Sequence, residues 1–83
     1  MTKSLHSEPY ADFLTALIEE RRSRGLTQQI VADRLRKPQS YIAKIEGGER
    51  RLDIVEFIAL SRALDANPET LFSRLLKAIE HLD

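Results

Sequence analysis

The chain of 83 residues has no cysteine, only three glycines and three prolines, and no apolar run of more than a few residues. Without cysteine there is neither a disulfide staple nor a thiolate metal site. A stretch such as Phe57-Ile58-Ala59-Leu60 falls far short of the ~20 residues that a membrane span needs. The first twenty residues carry Lys3, Glu8, Asp12, Glu19 and Glu20 without an apolar centre, which argues against a signal peptide. Net charge is absent too, with 13 basic residues against 13 acidic ones. What is present is ordinary for a folded domain: 42% hydrophobic and 31% charged residues. The expectation is one small soluble domain, located in the cytoplasm. A chain of this length buries only ~60–65% of its unfolded surface, so its core must be efficient or shared with a partner.

The zero net charge hides an asymmetry. From Arg21 to Arg51 there are nine basic residues against three acids, a net of +6, and the segments on either side each carry −3. A basic middle between acidic ends sets up a local positive field. It points to a polyanionic partner, although a solvated charged surface would have the same composition.

Pro9, Gly25, Pro38, Gly47-Gly48 and Pro68 divide the chain into five segments, each with helical rather than alternating periodicity. Tyr10, Phe13, Leu14, Leu17 and Ile18 form the stripe of the first, which ends on basic residues and Gly25. Thr27 is suited to cap the second, with Leu26 and Val31 as a hydrophobic staple. Pro38 suits the first helical position of the third. Asp53 with Glu56 forms a capping box for the fourth, stapled by Leu52 and Phe57, and Asn67-Pro68 opens the fifth. The prediction is an all-α fold of five short helices. Residues 1–8 form an N-terminal tail, residues 9–83 the domain, and residues 73–83 an extension of helix 5 that serves dimerisation.

Two short helices joined by a tight turn inside a basic segment can place the second helix in the DNA major groove. At ~100° per residue, Ile42 and Ile45 point inward with Tyr41 on their flank, while Gln39, Ser40, Ala43 and Lys44 share the opposite face. That face is small, polar and free of acids. Gln can pair with adenine, Ser can donate or accept, and Lys can reach guanine or a phosphate. An ordinary solvated face would more often mix Glu with Lys.

Leu26-Thr27-Gln28-Gln29-Ile30-Val31-Ala32 and Pro38-Gln39-Ser40-Tyr41-Ile42-Ala43-Lys44-Ile45-Glu46-Gly47-Gly48 together resemble the Cro/cI-type (lambda-repressor-like, XRE) helix-turn-helix family. The likeness continues through Leu60-Ser61-Arg62-Ala63-Leu64 to about Phe72. It implies a five-helix domain that binds double-stranded DNA as a homodimer and regulates transcription, most often as a repressor on a palindromic operator. It implies that Gln39, Ser40 and Lys44 face bases, and that Thr27, Gln28, Tyr41, Arg50 and Arg51 hold the DNA backbone. It also implies a structural ion pair between Arg21 and Glu46. Three positions depart from the family pattern. Arg36 stands where the turn normally has glycine, at a cost of ~1 kcal/mol if the backbone there is left-handed. Gly47 replaces a polar residue and should loosen the end of the third helix. Ile30 falls off the core face, where the N-terminal tail could cover it.

The apolar stripe of helix 5 continues beyond the resemblance through Leu75, Leu76, Ile79 and Leu82, and Val55 and Ile58 on helix 4 also lack an obvious place in one core. Soluble monomers avoid such patches, so Val55, Ile58, Leu75, Leu76 and Ile79 are the expected dimer interface. The competing expectation is that helix 5 folds back on helix 1, beside Leu5, Tyr10 and Phe13. A rival function is an antitoxin-like or adaptor protein whose main partner is a second protein. No enzyme, cofactor, metal or small-molecule ligand is expected. His6 and His81 lie at opposite ends of the chain, and no nucleophile–base pair, metal-ligand spacing or phosphate-cradling loop is present.

Overall fold

Three of the helices start where the sequence supplies a capping side chain. In the computed structural model, which describes residues 8–79, five α-helices follow one another: α1 (Glu8–Ser23), α2 (Gln28–Leu35), α3 (Gln39–Glu46), α4 (Ile54–Ala63) and α5 (Pro68–Ala78). No strand occurs among the described residues. Thr27 accepts from the Ile30 N–H, and Asn67 accepts from the Glu69 and Thr70 N–H groups. Asp53 accepts from the Glu56 N–H while the Glu56 carboxylate accepts from the Asp53 N–H, a complete capping box. These bonds satisfy donors that a helix N-terminus leaves open. Pro38 caps α3 from just outside it, one residue earlier than expected.

The core lies where the five helices meet. Leu17 of α1, Val31 and Ala32 of α2, Ile42 and Ile45 of α3, Leu60 of α4, and Leu71 and Leu75 of α5 are buried, with Leu64 from the α4–α5 connection. Leu26 and Leu52, the outer halves of the two staples, pack against this cluster. Ser61 is also fully buried and satisfies its hydroxyl by donating to the Phe57 carbonyl at 2.8 Å. α2 packs on α3 and on α4, and α5 returns against both α1 and α4.

Two expectations change here. Leu75 is not an interface residue: it is 2% exposed, in the core on the side of α5 that meets α1. Helix 5 therefore does fold back on helix 1, and only the other part of its stripe stays open. Val55, 70% exposed, faces a hollow lined by Leu35, Tyr41 and Ala59, so it does not join the open face of α5. Ile58 is half-buried. The end of α3 is not loose either. Gly47 sits at an ordinary φ of −82°, and Gly48 (φ +81°) takes the left-handed position, where a Cβ would lie 3.4 Å from Leu14. The N–H groups of Gly47, Gly48 and Glu49 close the turn onto Ala43, Ile45 and Lys44 carbonyls. Ile30 is exposed. Of the proposed tail, Glu8 already belongs to α1, and residues 1–7 lie outside the described residues, as do His81 and Leu82.

Candidate nucleic-acid interface

A buried ion pair anchors the α2–α3 unit to α1. Arg21, at the last turn of α1, donates from Nε to Glu46 Oε2 at 2.6 Å and from Nη2 to Oε1 at 2.9 Å. Its Nη1 donates to the Leu26 carbonyl at 2.8 Å. The two side chains are 9% and 8% exposed, so the charges are matched where water scarcely reaches. Planar two-point pairing of this kind suits arginine and carboxylate.

The pair continues outward as a relay. Gln28, at the start of α2, donates from Nε2 to Glu46 Oε1 at 2.8 Å, and its Oε1 accepts from Gln39 Nε2 at 2.6 Å. Each amide nitrogen carries two hydrogens. Gln28 therefore keeps one N–H for a further acceptor, and Gln39 keeps one N–H and its whole carbonyl oxygen. An N–H beside a C=O is the donor–acceptor pair that matches N7 and N6 of adenine. Gln39, Ser40 and Lys44 are all exposed on α3, as the helical wheel required.

Of the nine basic residues between Arg21 and Arg51, four are committed within the fold. Arg21 holds Glu46. Arg24 donates to the Leu64 and Asp65 carbonyls, and Arg34 donates to the Ala63 carbonyl at 2.8 Å and pairs with Asp65 at 3.0 Å. Arg34 thus takes the last carbonyl of α4 and Arg24 the two carbonyls just beyond it, while the Leu64, Asp65 and Ala66 N–H groups close the carbonyls before them; Asp65 takes the left-handed position (φ 61°). Arg50, expected at the DNA backbone, is the fourth, and in this structure its guanidinium is engaged by Glu56. Both its terminal nitrogens bind the Glu56 carboxylate, at 3.0 and 2.8 Å. That hydrogen-bonded contact raises Arg50 above its ordinary pKa and, with the Asp53 N–H, holds the Glu56 carboxyl below the usual carboxylate range. The capping-box glutamate thus holds the cation that the family resemblance had assigned to the DNA backbone.

The other five, Arg22, Arg36, Lys37, Lys44 and Arg51, are exposed and engage no carboxylate among the described residues. Two are braced on aromatic rings, Lys37 at 5.1 Å above Tyr41 and Arg51 at 4.2 Å above Tyr10. Arg50 lies over the Tyr41 ring at 4.9 Å. The half-buried Tyr41 ring therefore organises cations at the edge of α3. Thr27 is exposed, with its hydroxyl oxygen used as the cap of α2.

The helix-turn-helix family model matches residues 17–71, which span α1 from Leu17 to the first turn of α5. The chain belongs to the XRE family of helix-turn-helix proteins. A solved XRE-family like protein from Pseudomonas syringae pv. tomato str. DC3000 is 40% identical, with a TM-score of 0.77, over 83% of this chain and 84% of that one. No curated protein matches the chain. XRE-family membership makes this a DNA-binding, five-helix domain and identifies α2 and α3 as its helix-turn-helix. No helix among the described residues is long and apolar enough to cross a membrane, and those residues contain no cluster of metal-ligating side chains.

Proposed function

We propose that this XRE-family chain is a transcriptional repressor that reads a palindromic operator as a homodimer, with α3 in the major groove. The observation that carries the reading is the relay from Arg21 through Glu46 and Gln28 to Gln39. It fixes a glutamine amide on an exposed, acid-free helix face with an adenine-matching donor and acceptor still unused. Ser40 and Lys44 extend the same face toward neighbouring bases. Gln28 has one N–H left for a phosphate, and the five exposed cations supply the sequence-independent attraction. Thr27, Tyr41 and Arg51 border that surface.

Dimerisation rests on the α5 side. Tyr10, Phe13, Phe57, Phe72 and Ile79 line a largely apolar groove of about 370 Å³ with Arg51 and Asp53 also in its wall; Ile54 (66% exposed) and Phe72 (53%) belong to its lining, and Leu76 (49%) is exposed on α5. A two-fold axis there would cover the groove with the same surface of a second copy. It would also set two recognition helices one DNA turn apart, ~34 Å, which makes a palindromic operator a geometric consequence. The interface is accordingly Ile54, Phe72, Leu76 and Ile79, without Leu75 or Val55.

The test of base reading is Gln39→Ala. On an operator selected from a random DNA pool it should cost ~1–3 kcal/mol and relax the preference at one base position per half-site. Arg51→Ala should weaken binding to all sequences alike. A uniform loss on Gln39→Ala, with base preference unchanged, would remove Gln39 from base reading.

A further inference from the structure

Arg36 closes α2 in the left-handed conformation, at φ 59° and ψ 43°. That backbone costs a side chain with a Cβ ~1 kcal/mol, which glycine avoids. The cap itself needs no side chain, because the Arg36 backbone N–H bonds the Ala32 and Asp33 carbonyls, and glycine would do so equally well. The other left-handed residue that is not glycine is explained within the fold: Asp65 is of a type that tolerates this region, and its carboxylate pairs with Arg34. Arg36 has neither excuse. It is exposed, and no carboxylate, carbonyl or ring among the described residues holds its guanidinium. Strain that the fold does not use is where a functional contact should be sought.

Its place in the chain supplies the contact. Arg36 lies in the connection between the two helices of the DNA-binding unit, three residues before Gln39. Lys37, its neighbour, is already braced on Tyr41, so the connection presents two adjacent cations next to the N-terminus of α3. We infer that Arg36 is a DNA-backbone-binding residue, its guanidinium taking a phosphate at the wall of the groove that α3 enters. The long, flexible side chain on a turn provides charge and reach rather than the fixed platform that base reading needs. The inference rests on the DNA-binding reading of α2 and α3.

The experiment compares wild type, Arg36→Gly and Arg36→Lys in thermal unfolding and in salt titrations on the selected operator and on a mixed-sequence duplex. Arg36→Gly should unfold a few degrees higher, because the strain is gone, yet bind both duplexes about three- to tenfold more weakly at low salt. Its log–log salt slope should be less steep by about 0.9 per bound protomer. Arg36→Lys, which keeps the charge, should retain the wild-type slope. A slope for Arg36→Gly equal to that of wild type would overturn the assignment, and so would a lower unfolding midpoint, since the side chain would then serve the fold. Absence of binding by the wild type would instead overturn the DNA-binding reading on which the assignment rests.

Discussion

Arg21→Ala should lower folding stability by about 3–5 kcal/mol, the range for removing one partner of a buried ion pair. For a domain of this size that is a large share of the total. The reason is geometric: Glu46 would keep its charge beside the core with only the Gln28 amide for a partner, and the Leu26 carbonyl would lose its donor. Glu46→Ala removes the same pair from the other side. In urea unfolding, the double variant should therefore cost clearly less than the two single costs added together, and the remainder measures the coupling. Strict additivity would mean that the pair contributes nothing as a pair. The relay adds a functional consequence. Glu46→Ala, where it still folds, releases Gln28 and with it Gln39, so it should relax preference at the base position that Gln39→Ala relaxes.

The second large effect concerns the α5 face. Ile54→Asp combined with Leu76→Asp should give folded monomers that have lost roughly 10²-fold or more in operator affinity. Both residues are well exposed in one protomer, so each change should alter the monomer's stability by only ~0.5 kcal/mol. Across a two-fold axis, however, the same changes set four carboxylates into an apolar contact. Losing the partner converts the second half-site from an intramolecular encounter into an independent one, which is the source of the affinity loss. Sedimentation equilibrium checks the assembly and operator titration checks the function. Wild-type protein that sediments as a monomer at micromolar concentration would contradict the dimer.

The parts of this molecule that depend on near neighbours in sequence were readable in advance. Thr27, Asp53 and Asn67 cap helices through bonds that span two or three residues, and the stripe of Ile42 and Ile45 sets the outer face of α3 by rotation alone. The left-handed turn at Arg36 was legible only as a condition, through the glycine that the family carries there. The polar relay was not readable in this way. Arg21, Glu46, Gln28 and Gln39 are 11 to 25 residues apart from partner to partner, and only packing of α1, α2 and α3 brings them together. The resemblance supplied the Arg21–Glu46 pair, but the attachment of Gln28 and Gln39 to it emerged from the fold.

Charge alone does not show where two partners compete for one cation. Arg50 has the same sign as Arg51 and stands beside it, yet the capping-box Glu56 lies six residues on and claims it. Arg24 and Arg34 gave no signal as clamps on the α4–α5 connection, because carbonyls that need donors leave no trace in composition. The α5 stripe was visible, but Leu75 and Leu76 adjoin on it, and the docking angle of α5 on α1 decides which turns inward. That angle is a property of the assembled core.

The most direct test of the central claim, that α2 and α3 bind DNA through this basic surface, is the salt dependence of binding to duplex DNA by fluorescence anisotropy. Five exposed cations per protomer allow two protomers to neutralise ~6–10 phosphates, which gives a log–log slope of about −5 to −9. A slope near zero, or no binding to duplex at low salt, would contradict the account.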